Sequence, residues 1–483
     1  MNILVICEKQ NAAERIASIL SGGTEKKKKE DKIEIYTFSK GKDSYTIIPL
    51  KGHIVKPDFP VKYNQWLRIS PKRLIDIEPE ITIDAKEYVK LLQKEGKKAE
   101  RVIIATDYDR EGELIGLEAL ELIKKVNKNI EVKRARFSAF TEKEVTSSFK
   151  KLGDIDKNLA DSARSRQFID LTWGAVLTRF LSMASYRLGE DFLSVGRVQS
   201  PTLSLIVKRD DEIEKFVPQP YWVISVELEG TEKGKPVQFK AKCKEEKFLK
   251  KKEAEEKFKR IKAAKEGKVV EAKVIIREDN VITPFNTTAF LTAAAELGFT
   301  PARAMEIAEF LYTSGYISYP RTDNTVYPDS MDFMEILKLL EKTEFKPLSK
   351  KIQAQDEIKP SKGKKESKDH PPIYPTGALK KGAVEEHEYK IYELIVRRFL
   401  ATLSKPSKIK AVSLEIDLKK ELVVAKGMQI VEKGWREFYP YIHVQEAHIP
   451  EMKKGEKVKK LGETLEEKYT KPPPRISLGG LIA

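Results

Sequence analysis

The chain has 483 residues, 34% of them charged and 40% hydrophobic, and this length predicts two to four domains. Lys and Arg exceed Asp and Glu by 90 − 74 = 16, which suits a polyanionic partner, although a lysine-rich thermophile surface gives the same excess. No apolar run reaches eighteen residues and the first ten form no secretory signal, so we expect no membrane association and a cytoplasmic location. Two cysteines, Cys7 and Cys243, fit a reducing compartment, and the five histidines show no zinc spacing.

The first part of the chain alternates strand and helix patterns. Residues 3–6 form a short apolar run typical of a buried parallel strand, and residues 11–20 carry the apolar spacing of a helix. The same plan repeats from residues 102–105 onward, whereas the lysine run within 24–32 is predicted to be a solvated loop tip. This alternation predicts an α/β domain with a parallel sheet over residues 1–150.

The remainder of the chain changes character three times. Residues 155–210 have a helical, basic pattern, and residues 221–277 alternate like antiparallel strands around a charged helix. Residues 284–400 return to helices, and strand patterns resume after residue 410. No internal repeat is visible, so the pattern indicates a helical unit inserted between two strand-rich segments.

Acidic side chains follow both strands of the first domain. Asp107, Asp109 and Glu111 come directly after the second strand, and Glu8 with Lys9 follows the first. Ligands of open parallel sheets bind beyond the carboxyl ends of the strands, where four carboxylates would repel one another without a bound cation. Oxygen-only ligands favour Mg²⁺ over zinc.

This combination resembles the toprim domain, which topoisomerases, bacterial primases and some nucleases share. Lys9 and Arg110 stand beside the acids and can hold phosphate. The resemblance implies Mg²⁺-dependent phosphoryl transfer on a nucleic acid and leaves the choice among the three classes open.

A tyrosine in the inserted helical unit decides between those classes. Thr300 and Pro301 are a predicted helix cap and first helical position, and Gly315 is predicted to end that helix. Tyr319 follows on a predicted short strand, where Pro320 stops further pairing and is expected to keep the phenol accessible. Considered alone, Tyr319 would be read as an aromatic anchor on a loop.

Motifs along nearly the whole chain carry a second resemblance. They are "CEKQNAAERIASIL", "TDYDREGELIG", "RARFSAFTEKEV", "LSVGRVQSPTLSLIV", "PFNTTAFLTAAAELG", "GYISYPRTD", "DHPPIYPT", "YELIVRRFLA" and "TKPPPRISLGGLI". In this order they resemble the type IA DNA topoisomerases, closest to the archaeal type I and topoisomerase III branches. The resemblance implies a multidomain α/β plus α+β fold of toroidal architecture. The domains implied are a toprim domain (1–150), a helical DNA-groove domain (151–217), an arch (218–283 and 401–470), a winged-helix-like lid (284–400) and a return to the groove domain (471–483).

The resemblance also implies roles for individual residues. Tyr319 would attack the phosphodiester and form a 5′-phosphotyrosyl link without any nucleotide, in keeping with the absence of a GxxxxGK[ST] motif. Arg321, on the same side of an extended strand, would clamp the phosphate, Lys9 would stabilise its charge, and Glu8 would give a proton to the leaving oxygen. The expected metal ligands are Glu8, Asp107, Asp109 and Glu111. The expected DNA contacts are Arg110, Arg164, Arg166, Arg197, Gln199, His370 and His53, each of which read alone is an ordinary surface, cap or turn residue.

Two features depart from the family pattern. Gln10 stands where many relatives have proline, and relatives continue beyond "PPPRISLGGLIA" with helices that complete the groove domain. We therefore expect either an active monomer that relaxes negatively supercoiled DNA, a DNA-binding fragment without turnover, or a chain completed by a partner. A toprim nuclease or primase, and the topoisomerase subunit of a split reverse gyrase, stay open as alternatives.

Overall fold

The computed structural model describes residues 1–367 and 370–483, so Asp369 of the "DHPPIYPT" motif lies outside the described residues. The N-terminal part contains eight strands and four α-helices among its described residues. The strands are β1 (Asn2–Cys7), β2 (Lys26–Glu30), β3 (Ile33–Lys40), β4 (Asp43–Pro49), β5 (Val55–Asp58), β6 (Glu80–Ile83), β7 (Arg101–Ile104) and β8 (Glu131–Arg134). The helices are α1 (Gln10–Ser21), α2 (Lys86–Gly96), α3 (Arg110–Lys124) and α4 (Glu142–Lys150).

Six of these strands form one sheet in the order β2-β3-β4-β1-β7-β8, and β5 pairs with β6 separately. Strand β1 runs parallel to both β4 and β7, as the apolar runs predicted. Its side chains alternate between two cores: Ile3 and Val5 pack with α1 and α4, whereas Leu4 and Ile6 pack with α2 and α3. Helices on both faces explain why the strand is apolar throughout.

The lysine run is an edge strand instead of the predicted loop tip. Strand β2 pairs antiparallel with β3 at the margin of the sheet. Its lysines reach acidic partners, with Lys27 bound to Glu14 at 2.6 Å and Lys28 bound to Glu30. These ion pairs offset the repulsion between neighbouring lysines, which would otherwise discourage a strand. Lysines on an edge strand also oppose pairing with the strands of other chains.

Helices α5 (Lys157–Ala184) and α6 (Gln199–Glu214) follow the first domain. Helix α5 packs against α3, whereas no residue of α6 is buried. Large apolar side chains stay exposed on both helices, including Trp173, Phe180 and Leu203. None of the described helices is both long and apolar enough to cross a bilayer.

A closed six-stranded barrel forms the next part, in the order β10-β13-β12-β11-β14-β9. Its strands are β9 (Pro220–Glu232), β10 (Lys235–Cys243), β11 (Glu266–Asp279), β12 (Ser407–Leu418), β13 (Glu421–Glu432) and β14 (Lys457–Tyr469), with α7 (Lys251–Lys262) between β10 and β11. Asp279 pairs with Ser407 at one end of the β11–β12 ladder, and Pro220 pairs with Tyr469 at the end of the β9–β14 ladder. The chain therefore leaves and re-enters the barrel through neighbouring strand ends.

A helical unit is inserted between β11 and β12, and we call residues 280–406 the lid. Its helices are α8 (Thr287–Glu296), α9 (Pro301–Thr313), α10 (Phe333–Leu340), α11 (Lys346–Gln353) and α12 (Glu386–Thr402). The Thr300 hydroxyl caps α9 with Pro301 at its first position, as predicted. Short 3₁₀ turns span Val61–Tyr63, Pro71–Asp76, Gly189–Asp191 and Gly434–Glu437, and α13 (Leu478–Ile482) packs on α8.

The lid and one face of the N-terminal sheet share a single hydrophobic core. Phe140 of the segment between β8 and α4 stacks against Tyr312 of α9, with ring centroids 4.8 Å apart. This shared core holds the lid against the carboxyl ends of β1 and β7, and so determines which side chains can meet there.

Candidate active site between the sheet and the lid

The acidic edge of the sheet is built by two adjacent strand ends. Glu8 follows β1 and Asp107 follows β7, and these strands pair directly. Asp109 caps α3, its Oδ1 accepting the Gly112 amide at 2.7 Å. A Cβ on Gly112 would lie 2.1 Å from the Asp107 carbonyl oxygen, so only glycine lets the first turn of α3 approach so closely.

Burial and mutual repulsion perturb these carboxyl groups. Burial raises the pKa of Asp107 well above its usual value, and the nearby charge of Glu8 raises it further. Burial also raises the pKa of Glu8, with Lys9 opposing and Asp109 adding to the rise. Burial and mutual repulsion therefore both shift Glu8 and Asp107 toward the neutral form.

The lid brings Tyr319 to this edge. Its hydroxyl donates to Asp109 Oδ2 at 2.5 Å, and its backbone amide donates to the Ser138 carbonyl at 2.8 Å. The tyrosine lies next to an isolated bridge between Ile317 and Pro375 and not on a longer strand. Residues some two hundred positions apart in the chain thus meet at the edge of the sheet.

The prediction that the phenol of Tyr319 is accessible to solvent is wrong, because this residue is only 3% exposed. Burial raises its pKa far above the usual value for tyrosine, and the charges of Asp107 and Asp109 act in the same direction. The neighbouring Tyr312 ring lies 5.2 Å away, and its hydroxyl donates to Asp107 Oδ1 at 3.1 Å. In this closed arrangement the phenol is held protonated and shielded from solvent.

Two cations flank the tyrosine and share one carboxylate. Lys9 Nζ lies 2.9 Å from Glu309 Oε2 and 3.6 Å from Glu8 Oε1. Arg321 Nε donates to the other oxygen of Glu309 at 3.2 Å, and its Nη2 contacts that same oxygen. Burial tends to raise the pKa of Glu309, but its hydrogen bonds with Lys9 and Arg321 lower it overall. The two predicted phosphate-holding residues therefore converge on one spot.

His370 lies beside the ring of Tyr319 and is buried, unlike an ordinary loop histidine. Its ring centroid is 4.5 Å from that of Tyr319. Its Nε2 lies 2.7 Å from the Tyr108 carbonyl oxygen and its Nδ1 lies 2.8 Å from the Ser138 hydroxyl. Because the carbonyl only accepts, Nε2 carries a proton and the ring is fixed in orientation.

A buried ion pair supports the loop that bears the acids. Arg134 Nε lies 3.0 Å from Glu113 Oε2, and both side chains are inaccessible to solvent. Arg134 Nη2 also donates to the Asp107 carbonyl at 2.9 Å. A charge buried this completely is retained only with such partners, and here they anchor the backbone beneath Asp107.

Glu111 is directed away from the other three acids. Its Oε2 lies 3.1 Å from His53 Nε2, while His53 Nδ1 lies 2.9 Å from Glu118 Oε2. Burial lowers the pKa of His53, but the hydrogen bonds that its ring makes to both carboxylates outweigh this effect and raise the pKa to about 9. Gln167 of α5 lies 3.2 Å from the same ring, so this cluster joins α3 to α5.

The predicted groove residues lie on α3 and α5 and at the start of α6, with Arg197 in the turn just before α6. Arg164 pairs with Glu121 at 2.9 Å, and Arg166 and Arg197 both reach Asp170, at 3.7 Å and 2.5 Å. Arg110 and Gln199 are exposed at the first positions of α3 and α6. None of these five contacts Tyr319, so they lie outside the cluster around the phenol.

Sequence reasoning missed four residues of the site: Glu309, Tyr312, Ser138 and Arg134. Glu309 and Tyr312 lie three positions apart on α9. This spacing places them on one face of the helix, next to its buried apolar residues. Ser138 and Arg134 lie in the quoted motif "RARFSAFTEKEV", which marked the segment but gave neither residue a role, because their roles come from contacts with distant segments.

The donor set at the sheet edge suits Mg²⁺ in its chemistry, since Glu8, Asp107 and Asp109 supply only oxygen ligands. Within residues 1–367 and 370–483, however, no three acidic, histidine or cysteine side chains stand in a ready metal-binding geometry. Two of these three carboxylates instead accept hydrogen bonds from tyrosine hydroxyls, Asp107 from Tyr312 and Asp109 from Tyr319. In their chemistry, the residues therefore fit the ion.

The fold and this site define a Toprim-containing protein with an opposed tyrosine-bearing lid. A Toprim domain match covers residues 3–140, and a match to the family described as "DNA topoisomerase" covers residues 154–483. The chain belongs to the type IA DNA topoisomerase family. The multidomain α/β plus α+β fold class predicted from the sequence is confirmed by a solved structure of full-length topoisomerase I from Thermotoga maritima. That structure aligns with a TM-score of 0.73 at 26% identity over 99% of this chain and 74% of that one.

Curated relatives carry the same names. DNA topoisomerase 1 of Archaeoglobus fulgidus is 47% identical over all of this chain and 70% of its own length. DNA topoisomerase 1 of Thermoplasma acidophilum is 41% identical over 99% of this chain and 61% of its own length. The chain thus spans about two thirds of these relatives.

Proposed function

We propose that this protein changes the topology of DNA by transient cleavage and rejoining of one strand, with Tyr319 as the nucleophile. The observation that carries the proposal is the meeting of the Tyr319 hydroxyl with Asp109 at 2.5 Å, next to Arg321, which shares the Glu309 carboxylate with Lys9. A phenol, two cations and an acidic cation-binding edge are the groups that transesterification of a phosphodiester requires. The family match over residues 154–483 favours this function over a nuclease or primase.

The proposed reaction exchanges one phosphodiester for another. The Tyr319 oxygen forms a bond to phosphorus as the bond to the 3′ oxygen breaks, and the phenolic proton passes toward Asp109, its present hydrogen-bond acceptor. Glu8, whose pKa is raised by burial, is proposed to give a proton to the leaving 3′ oxygen and to recover it on rejoining. Because the phosphotyrosyl bond conserves the energy of the cut bond, no ATP is needed.

Lys9 and Arg321 are proposed to bind the phosphate oxygens, with His370 fixed alongside the ring of Tyr319. Glu8, Asp107 and Asp109 would hold Mg²⁺, which when bound supplies positive charge to the reacting phosphate. Arg110, Arg164, Arg166, Arg197 and Gln199 are proposed to follow the strand backbone along α3, α5 and α6, and His53 to brace α5.

A denaturing gel of the protein with single-stranded DNA tests the nucleophile and the polarity together. A 3′-end label is expected to migrate with the protein and a 5′-end label to appear on a free fragment. Tyr319→Phe should abolish the adduct, whereas Tyr327→Phe, a matched change at another buried lid tyrosine, should retain it. An adduct formed by Tyr319→Phe would remove that residue from the proposed role.

Relaxation of negatively supercoiled plasmid tests the complete cycle. We expect relaxation with Mg²⁺ and without ATP, and its loss when a chelator removes the metal. Adduct formation without relaxation would show a chain that cleaves DNA but does not complete strand passage.

A further inference from the structure

The Glu309 carboxylate occupies the place that the proposed function gives to a DNA phosphate. One of its oxygens faces Lys9 Nζ at 2.9 Å, and the other faces the Arg321 guanidinium, with Nε at 3.2 Å. Two oxygens held by two cations is the pattern by which a phosphodiester would be bound. In the closed structure both cations are therefore already neutralised from within the chain.

The position is open to solvent, so an incoming anion can reach it. The side chains of Lys9 and Arg321 are 40% and 53% exposed, and that of Glu309 is 25% exposed. Tyr319, by contrast, is buried beneath them. A strand approaching the site meets this ion cluster before it meets the nucleophile.

The two ion pairs of Glu309 differ in what they connect. Glu309 and Arg321 both belong to the lid, so their pair persists when the lid moves as a unit. The pair with Lys9 joins α9 to the N-terminal sheet across the closed interface. Releasing Glu309 from Lys9 therefore removes one of the polar links that keep the lid down.

We propose that Glu309 is an internal competitor of the DNA phosphate, and that a bound strand displaces it from Lys9 and Arg321. This inference rests on the proposed function and adds a positioning residue to it. Displacement exchanges a carboxylate for a phosphate at the same two cations and simultaneously breaks the lid-to-sheet link. Binding of the strand and loosening of the lid are thereby coupled through one side chain.

Glu309→Gln tests the proposal because it removes the charge and keeps the shape. The measurement is binding of an end-labelled single-stranded oligonucleotide in a Tyr319→Phe background, where no cleavage occurs. The matched control is Glu335→Gln in the same background. Glu335 forms another lid-to-sheet ion pair, with Lys143 at 2.7 Å, and its side chain and that of Lys143 are 57% and 77% exposed.

We expect Glu309→Gln to lower the Kd about three- to tenfold at low salt, as loss of competing surface ion pairs predicts. The plot of log K against log salt should also steepen, by up to about 0.7 for the added phosphate neutralisation. Glu335→Gln should change neither quantity appreciably. With the labelled oligonucleotide held far below its Kd, inorganic phosphate at constant ionic strength should displace it at lower concentration from the Glu309→Gln protein than from its parent.

Equal affinities for Glu309→Gln and Glu335→Gln, or weaker binding by Glu309→Gln, would overturn the proposal. Unchanged sensitivity to inorganic phosphate would do the same, and thermal unfolding of each variant establishes that folded proteins are compared. These binding measurements are independent of cleavage. Absence of any phosphotyrosyl adduct counts against the proposed function, whereas adduct formation with indifferent Glu309→Gln binding counts against this inference alone.

Discussion

Individual residues at the sheet edge depend on very close backbone approach. The first turn of α3 lies directly on the backbone of Asp107, where Gly112 leaves no side chain to intervene. In the same turn, the Gly112 amide donates a hydrogen bond to the capping carboxylate of Asp109. The positions of both Asp107 and Asp109 therefore depend on this one glycine. A small change there acts on the candidate active site and on packing together.

Gly112→Ala is expected to lower the free energy of unfolding by about 1–3 kcal/mol, because the added methyl overlaps the Asp107 carbonyl and the backbone must shift. Adduct formation should fall at the same time. Gly174→Ala is the matched control, since a Cβ at that helical position meets the Val195 carbonyl oxygen at an ordinary 3.7 Å. Chemical denaturation and the adduct gel measure the two effects, and equal behaviour of the variants would contradict this account.

At the scale of elements, one histidine joins three segments. His53 follows β4 and contacts Glu111 and Glu118 of α3, and it also contacts Gln167 of α5. Glu118 is buried, so its carboxylate depends on this partner. Helix α5 is thus oriented against α3 by polar contacts as well as by packing.

His53→Ala is expected to lower the free energy of unfolding by about 1–3 kcal/mol, because Glu118 would keep a buried acceptor without its donor. Single-stranded DNA binding should weaken if α5 loses its orientation. A control is His448→Ala, which removes an exposed histidine paired with Glu232 at 3.1 Å and should have little effect. Denaturant unfolding of the two variants provides the comparison, and similar losses for both would refute the bracing role.

Across the whole molecule, the lid is joined to the barrel by two neighbouring strand ends and to the N-terminal sheet by noncovalent contacts. The backbone bond from Tyr319 to Ser138 is one of these contacts and breaks whenever the lid lifts. The barrel strand β12, in contrast, is paired with β11 on one side and β13 on the other. Lid movement and barrel unfolding should therefore be separate events.

Hydrogen exchange measures this separation. We expect the Tyr319 amide to have an opening free energy several kcal/mol below that of Ile416, which is paired on both sides within β12, since only the latter requires unfolding of the barrel. Peptides covering residues 316–320 and 412–416 report the two openings by mass spectrometry. Indistinguishable protection would mean that lid and sheet separate only on global unfolding.

The sequence by itself determined the features that depend on local pattern. Apolar runs predicted parallel β1 and β7, and their shared direction predicted that Glu8 and Asp107 would meet at one edge. Thr300 and Pro301 predicted where α9 begins. The order of motifs predicted the family. These inferences succeed because period, caps and chain direction are encoded within a few residues.

Only the tertiary structure decided which side chains face one another. Glu309 between Lys9 and Arg321, Glu111 turned to His53 and the burial of Tyr319 all arise from contacts between segments far apart in the chain. The partner of a carboxylate depends on the charges and hydrogen-bond donors that packing brings near it. Helical spacing determines only the face of the helix on which the carboxylate lies. The lid covers the phenol because its helices share an apolar core with the sheet, and no short stretch of sequence records that contact.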